Sequence, residues 1–575
     1  MSAPAAAAKR QWLVAQCDDV LAARLADECG LPPVVGRILV NRGIATAAEA
    51  RKFLEPSLSD LHDPYLLPDL EAGVDTVAAA MEAGEKIWVY GDYDVDGVTS
   101  TALLIRTLRA LKADVDYRLP HRQKDGYGIK PGVLEEAARN GVKVVLTCDC
   151  GIGACDTAQR AKELGVELVI TDHHEPGAEL PQAGAVIDPK RTDSEYPFPE
   201  LAGVGVAFKF AQALVGKLGY NEESFQRRFL DLTAFGTVGD VVPLVGENRA
   251  IVKHGMAAIS SSKKLGLQTM LEATNLIGKP MSAYYLGFVL GPRINAVGRL
   301  DDASAAVDLL LTRDRGEAAE LAQMLEQLNS ERRTEQDRIL QQAIEQVESR
   351  NLNDLRALVL SSEDWNPGII GIVASKICDL YNRPTVMVAR DESEGIGRGS
   401  GRSIDAFNLL EGLRACDDLL SGYGGHCLAA GVSIPLENIE AFERRLSDRV
   451  FERVSEEDMI PHITADAELD ASQITWDLAR AIASIEPFGT GNPEPVFISR
   501  GLTVDRKDRV GSGAHLKLRV RSEGSDAVEC IGFGMGEICD SMELGGTIDL
   551  CYSIRLNTFR GNESIQLNLN EVSTP

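Results

Sequence analysis

Asp92, Asp94 and Asp96 occupy alternate positions in Tyr90-Gly91-Asp92-Tyr93-Asp94-Val95-Asp96-Gly97. Carboxylates this close repel one another unless a cation sits among them, and a loop made to cradle phosphate would offer Gly and Lys instead. The spacing points to a divalent-metal site. Its plain alternative is a solvated acidic turn at a helix N-terminus. More residues of the same kind follow: Asp149 in Cys148-Asp149-Cys150-Gly151, the triplet Asp172-His173-His174, and Asp240 after Gly239. Mg²⁺ and Mn²⁺ prefer oxygen ligands, and imidazole somewhat favours Mn²⁺, so an Asp-rich set with one or two His suits a dinuclear site. Such sites act on phosphoryl oxygen.

The elements that must position these side chains are legible as β-rich runs alternating with helical patterns. Residues 87–90, 142–147 (VKVVLT) and 167–171 (ELVIT) are strand candidates, and a helix is expected over 98–111. Gly97 is expected to let the backbone turn sharply into that helix. In open parallel sheets ligands sit beyond the carboxyl ends of strands, and here three strand ends carry Asp or His. Asp240 follows a helix-like segment, 225–235, and falls in a loop. Cys148, Cys150 and Cys155 lack the second Cys pair of a zinc site and read as buried structural thiols, leaving Asp149 as the chemical residue.

Composition sets outer limits. A chain of 575 residues has room for roughly three to five domains. Its formal net charge of −27 excludes blanket affinity for nucleic acid, so any such binding is expected to be local. An acidic exterior would confine the strand to a basic groove. Eleven Cys without paired spacing and no apolar run of membrane-spanning length predict a protein of the reducing cytoplasm. Met1–Ala8 reads as a loose tail.

Residues 12–86 show Ala- and Leu-rich helical segments broken by Pro32-Pro33 and by a proline-containing stretch over 56–68. After a strand candidate at 114–119 come Arg122, placed to approach a phosphate, and Tyr127, either a base-stacking ring or a turn anchor. Residues 317–351 contain neither Gly nor Pro and predict a helix on the order of 50 Å long, an intramolecular connector in preference to a coiled-coil arm. Beyond it, strands at 357–360 and 384–389 flank a helix at 368–381. Arg402 and the Gly424-Gly425-His426 loop then offer a guanidinium, an imidazole and bare backbone to a polyanion, or are ordinary glycine-rich connections.

From about residue 456 the pattern is mostly β. His515-Leu516-Lys517-Leu518-Arg519-Val520-Arg521 alternates strictly, placing Lys517, Arg519 and Arg521 on one face. Residues 499–521 hold seven Lys or Arg against two Asp. Short strands with a basic face suit an OB-fold that binds single strands, and a solvated edge strand guarded by Lys fits equally well.

The motifs Asp92–Gly97, Thr147-Cys148-Asp149, Asp172-His173-His174 and Gly239-Asp240, in that order, resemble the DHH phosphoesterase superfamily. Gly291-Pro292-Arg293-Ile294-Asn295-Ala296-Val297-Gly298-Arg299, Gly399–Ser403, Gly424-Gly425-His426 and Gly489-Thr490-Gly491-Asn492-Pro493 narrow the resemblance to its bacterial single-strand exonuclease branch. It covers most of the chain from about residue 87. The implied fold class is α/β: a parallel-sheet DHH domain joined by a long helix to a smaller α/β DHHA1 domain, plus a C-terminal OB-fold β-barrel. The expected boundaries are 1–86 for a helical cap of the DHH domain, 87–315 for that domain, 316–352 for the connector, 353–455 for DHHA1 and 456–575 for the OB domain.

The resemblance implies metal-dependent hydrolysis of single-stranded DNA from the 5′ end to 5′-mononucleotides, in recombination and repair. It implies two Mn²⁺ or Mg²⁺ ions on Asp94, Asp96, Asp149, His173 and Asp240, with Asp149 bridging, Asp92 an additional ligand and His174 on the scissile phosphate. DNA contacts are expected from Arg122, Tyr127, Arg293, Asn295, Arg299, Arg402, Gly425, His426, Lys517, Arg519 and Arg521. A single-stranded-DNA-binding protein and a RecQ-type helicase are the implied partners, with no membrane. Two departures stand out: Asn366, where the family usually has His, and Tyr90, where its small-substrate members have His. The alternatives are a small-substrate phosphoesterase acting on nanoRNA or cyclic dinucleotides, and an inactive DNA-binding scaffold.

Overall fold

A computed structural model of the chain describes residues 10–122, 125–300, 302–352, 355–559 and 562–574, so the tail expected at Met1–Ala8 lies outside the described residues. The chain forms two compact units, one comprising 12–325 with 464–575 and the other 1–11 with 326–463. The division falls inside the helix Arg315–Glu348. Asp314 caps that helix, its Oδ1 accepting from the Glu317 amide at 2.9 Å, and beyond Gly316 in its first turn no Gly or Pro interrupts it.

The larger unit is built on a five-stranded parallel sheet in the order Val115–Arg118, Lys86–Tyr90, Val142–Cys148, Glu167–Thr171, Ala185–Ile187. The inner strands are almost continuously buried, as expected of parallel strands covered on both faces. Strand order reverses between Lys86–Tyr90 and Val142–Cys148, which opens a crevice beyond their carboxyl ends. The acidic loop leaves one of these strands and Asp149 the other.

The helix after the first of them runs over Val95–Ala110, three residues earlier than its periodicity predicts, because Asp94 is its N-cap. Its Oδ1 accepts from the Asp96 and Gly97 amides at 3.0 and 3.2 Å. Gly97 therefore lies within the first helical turn. Glycine is needed there for close approach, since a Cβ would lie 2.5 Å from the Asp92 backbone.

The same unit holds a six-stranded β-barrel over 467–573, closed by pairing of Phe497–Val510 with Thr547–Phe559. The N-terminal stretch, expected as a cap of the phosphoesterase domain, divides in two. Helices Asp19–Cys29, Pro33–Asn41 and Ala47–Leu54 share a core with the barrel, where Val35, Ile38 and Leu39 join Ile482, Phe497 and Leu550. Only Leu70–Glu82 packs on the parallel sheet.

The smaller unit carries a mixed five-stranded sheet: Gly422–Gly425, Ala429–Pro435, Ile396–Arg402, Thr385–Asp391, Leu358–Ser362. Among the described residues no helix is long and apolar enough to cross a membrane.

Candidate metal centre

Four chain segments deliver the cluster. Asp96 is fully buried in the first turn of its helix, and its two carboxylate oxygens accept from the Gly203 and Val204 amides, each at 2.7 Å. Asp149 follows the strand Val142–Cys148 with φ +62°, a left-handed conformation that turns its carboxylate away from the strand direction. His173 lies beyond Glu167–Thr171, and Asp240 ends the helix Glu222–Gly239.

These side chains converge. His173 Nε2 lies 3.2 Å from Asp149 Oδ1, 3.5 Å from Asp240 Oδ2 and 3.9 Å from Asp96 Oδ2. Ligand atoms of Asp96, His173 and Asp240 lie within 4.8 Å of one another, as do those of Asp92, Asp94 and Asp149. A further group joins Asp149, His173 and His174. Two oxygen-rich pockets are thus joined through Asp149 and His173.

The donor set fits divalent cations. Asp92 Oδ1, Asp149 Oδ1 and His173 Nε2 are buried without a hydrogen-bond partner, a costly state that a cation resolves, while the Leu201 backbone is a hydrogen-bond partner of the His173 ring. Burial, followed by the charge of Asp94, pushes Asp92 up to about 8 and Asp96 to about 7. Burial and the charge of Asp96 also raise Asp149 and Asp240 well above the carboxylate range. Burial pushes His173 down to about 3, keeping it neutral and able to ligate.

His174 is set apart from this group. Its Nδ1 lies 2.8 Å from Asp172 Oδ1, an acceptor, which fixes the Nδ1–H and turns Nε2 outward. Burial opposes the imidazolium, but the hydrogen bond to Asp172 and its charge outweigh that, so the His174 pKa is raised. Asp172 also accepts from the His173, His174 and Ile152 amides, so it orients the triplet and is no part of the metal cluster. Tyr127 acts as an anchor: its hydroxyl donates to the Asp149 carbonyl at 3.3 Å and lies 2.9 Å from His174 Nδ1.

The remaining candidates divide. Arg122 stacks over the Tyr93 ring at 4.9 Å, beside the acidic loop. The charge of Arg299 also bears on Tyr93. Asn295, expected at DNA, also braces the acidic loop, its Oδ1 accepting from the Val95 amide at 3.0 Å. Arg293 is buried, and its Nη1 donates to the Val289 carbonyl one helical turn back.

In the smaller unit Arg402 and Gly425 share one end of the antiparallel sheet, through Arg402↔Ala429 and Gly425↔Ala430. The exposed His426 donates its amide to Ala429 O. Gly371, in the first turn of helix Ile370–Tyr381, lies so close that a Cβ would sit 3.3 Å from Arg402 Nη2. Asn366 shapes the turn before that helix, its Oδ1 accepting from the Gly368 amide at 2.8 Å.

In the barrel Lys517, Arg519 and Arg521 are exposed on one face, but Lys517 pairs with Glu529 at 3.1 Å and Arg521 with Asp505 at 2.9 Å. The basic stripe is largely neutralised across the strands.

Sequence reasoning missed Gly203 and Val204, the donors to Asp96. The available signal was Gly203 and Gly205 at a helix start, where two glycines cost helix propensity unless something approaches closely. It also missed Lys190, beyond the last strand, whose charge bears on Asp240 and His173.

Fold and cluster together define a metal-dependent phosphoesterase of the DHH class. The DHH N-terminal domain family model matches residues 86–237, the DHHA1 domain 354–452 and the RecJ OB domain 465–571. The single-stranded-DNA-specific exonuclease RecJ of Bacillus subtilis is 38% identical over 568 residues, 99% of this chain and 71% of that protein. The crystal structure of Thermus thermophilus RecJ with Mn²⁺ superposes with TM-score 0.82 at 30% identity, covering 98% of this chain and 80% of that one. The same protein with Mg²⁺ gives 0.77 at 29%, covering 98% and 78%. The chain belongs to the RecJ family.

Proposed function

We propose that the protein is a metal-dependent exonuclease of single-stranded DNA. The carrying observation is the pair of joined pockets lined by buried carboxylate oxygens and the His173 Nε2 without partners. Its relatives are named single-stranded-DNA-specific exonucleases, and structures of one of them contain Mn²⁺ or Mg²⁺.

In this reading Asp94, Asp96, Asp149, His173 and Asp240 hold two ions, with Asp149 shared and Asp92 completing the second pocket. Divalent cations bound there supply a phosphate clamp and a water of lowered pKa. Neutral His173 contributes a nitrogen ligand without adding charge. His174, whose imidazolium form the hydrogen bond to Asp172 favours, offers Nε2 to a non-bridging phosphate oxygen. Arg122 and Arg299 flank the approaching strand, and Tyr127 fixes His174.

Arg402, Gly425 and His426, with the first turn of helix Ile370–Tyr381, form an anion site suited to a terminal 5′-phosphate. Lys517, Arg519 and Arg521 contribute the barrel's strand contacts. Release of 5′-mononucleotides from the 5′ end, work in repair and recombination in the cytoplasm, and association with a single-stranded-DNA-binding protein and a RecQ-type helicase rest on the family resemblance.

Labelled single-stranded DNA and a dinucleotide, each incubated with and without Mn²⁺, test the reading. Processive loss of the long strand only with Mn²⁺ is expected. Hydrolysis of the dinucleotide alone would move the protein to the small-substrate branch, and no hydrolysis of either would leave a binding scaffold.

A further inference from the structure

The last strand of the parallel sheet, Ala185–Ile187, ends beside the triplet that carries His173. Ile187 pairs with Thr171, and its carbonyl accepts from the Asp172 amide at 3.0 Å. The chain then continues as Asp188-Pro189-Lys190-Arg191. Asp188 is fully buried, and its Oδ1 accepts from the Lys190 amide at 2.8 Å, an Asx turn that Pro189 stiffens by fixing its own φ. Lys190 therefore projects from a rigid backbone at the carboxyl edge of the sheet, where open parallel sheets bind their ligands.

The two cations of this segment have different commitments. Arg191 forks onto Asp193 at 2.9 and 2.7 Å and reaches Asp69 at 2.6 Å, so it ties the fold together. The Lys190 side chain is 20% exposed, and its Nζ lies 3.3 Å from Oε1 of Glu175, whose own side chain is 69% exposed. An ion pair with so exposed a partner is weak and readily exchanged. Glu175 stands two residues after His173, which places the ammonium at the rim of the metal centre with its stem buried.

Charge gives this position a purpose. Asp92, Asp94, Asp96, Asp149 and Asp240 carry one negative charge more than two divalent cations neutralise, and a phosphodiester brings another. The charges of Arg122 and His174 act on Asp92 in one pocket, and that of Lys190 acts on Asp240 and His173 in the other. A strand laid across both pockets meets a cation at each. A lysine ammonium on a buried stem takes a phosphate oxygen as readily as a carboxylate oxygen.

We propose that Lys190 exchanges Glu175 for a phosphate oxygen of the single strand as the strand enters the pocket of Asp96, His173 and Asp240. Lys190 is then a strand-binding residue of the metal centre, and Glu175 is the carboxylate that holds it until the strand arrives. This deepens the single-strand exonuclease reading and rests on it.

Affinity of the full chain for a short 5′-phosphorylated single strand, measured in Ca²⁺ over a range of salt with the strand's integrity checked on a gel, tests this. Lys190→Met keeps the buried stem and removes the charge. It should lower affinity about fivefold near 0.1 M salt and flatten the slope of log affinity against log salt by nearly one phosphate contact, and Lys190→Arg should restore most of both. Glu175→Gln should raise affinity, and raise it less when combined with Lys190→Met, because the competition it relieves needs the ammonium. A neutral methylphosphonate walked along the strand should abolish the difference between Lys190→Met and the wild type at one position. Wild-type affinity and slope in Lys190→Met, or a deficit that no methylphosphonate position removes, overturns the proposal. The exonuclease reading is judged separately, by whether the wild-type chain degrades the same strand in Mn²⁺.

Discussion

A side chain at Gly203 would occupy the space of the Asp149 carboxyl group: an ideal Cβ there lies 2.7 Å from Asp149 Oδ1 and 2.9 Å from its Cγ. The Gly203 amide also donates to Asp96 Oδ2 at 2.7 Å. One glycine therefore sets two members of the cluster without offering a ligand atom. Gly203→Ala should displace the Asp149 carboxylate by a large fraction of an ångström and lower both Mn²⁺ affinity and turnover by about 100-fold. Calorimetric Mn²⁺ titration beside single-strand hydrolysis reads both. Unchanged affinity would mean that Asp149 is not a ligand.

What could be read along the chain was whatever is local. Strand ends, the alternation that buries Leu516, Leu518 and Val520, and the Gly- and Pro-free connector all express periods of two or 3.6 residues. What escaped were relationships across long separations. Asn295 hydrogen-bonds Val95, 200 residues away, and Arg249 reaches the carbonyls of Phe53, Ile485 and Glu486. The N-terminal helices pack on a barrel encoded at the other end of the chain. Asp149 was legible as chemistry, but the left-handed backbone that carries it, φ +62°, was not.

The basic strand illustrates the same limit and sharpens a test. Its alternation suggests three equivalent cations, yet Lys517 and Arg521 each face an acidic partner on a neighbouring strand, whereas Arg519 has none within 4.0 Å among the described residues. Arg519→Ala should accordingly reduce the slope of log affinity against log salt by nearly one phosphate contact, and Lys517→Ala by less. Equal slopes for the two variants would show that the ion pairs open on binding.

Arg402 offers a test of end recognition confined to the smaller unit. Its guanidinium is oriented by Ser400 Oγ at 3.2 Å and the Gly401 carbonyl at 2.7 Å, and the first turn of helix Ile370–Tyr381 approaches it at Gly371. A guanidinium beside a helix N-terminus favours a doubly charged phosphate over a hydroxyl. Arg402→Ala should slow degradation of 5′-phosphorylated strands at least tenfold more than that of 5′-hydroxyl strands. Equal losses would make Arg402 a general backbone contact.

The raised carboxyl pKa values make metal binding and pH interdependent. Without cation, Asp92 and Asp96 keep protons up to about pH 8 and 7 in the folded chain, against an ordinary value of 3.8 for each when exposed. Between pH 6.5 and 8 the folded state therefore binds more protons than the unfolded one, and its stability falls as pH rises. His174, also raised, acts in the same direction; His173, pushed down, is neutral in both states over most of this window and contributes little. A cation must displace those protons, so its apparent affinity should rise by about tenfold per pH unit for each proton released. Melting temperatures of the metal-free chain should fall from pH 6.5 to 8, while those in saturating Mg²⁺ stay nearly level, so the stabilisation by Mg²⁺ widens with pH. Parallel curves would place the cations away from Asp92 and Asp96.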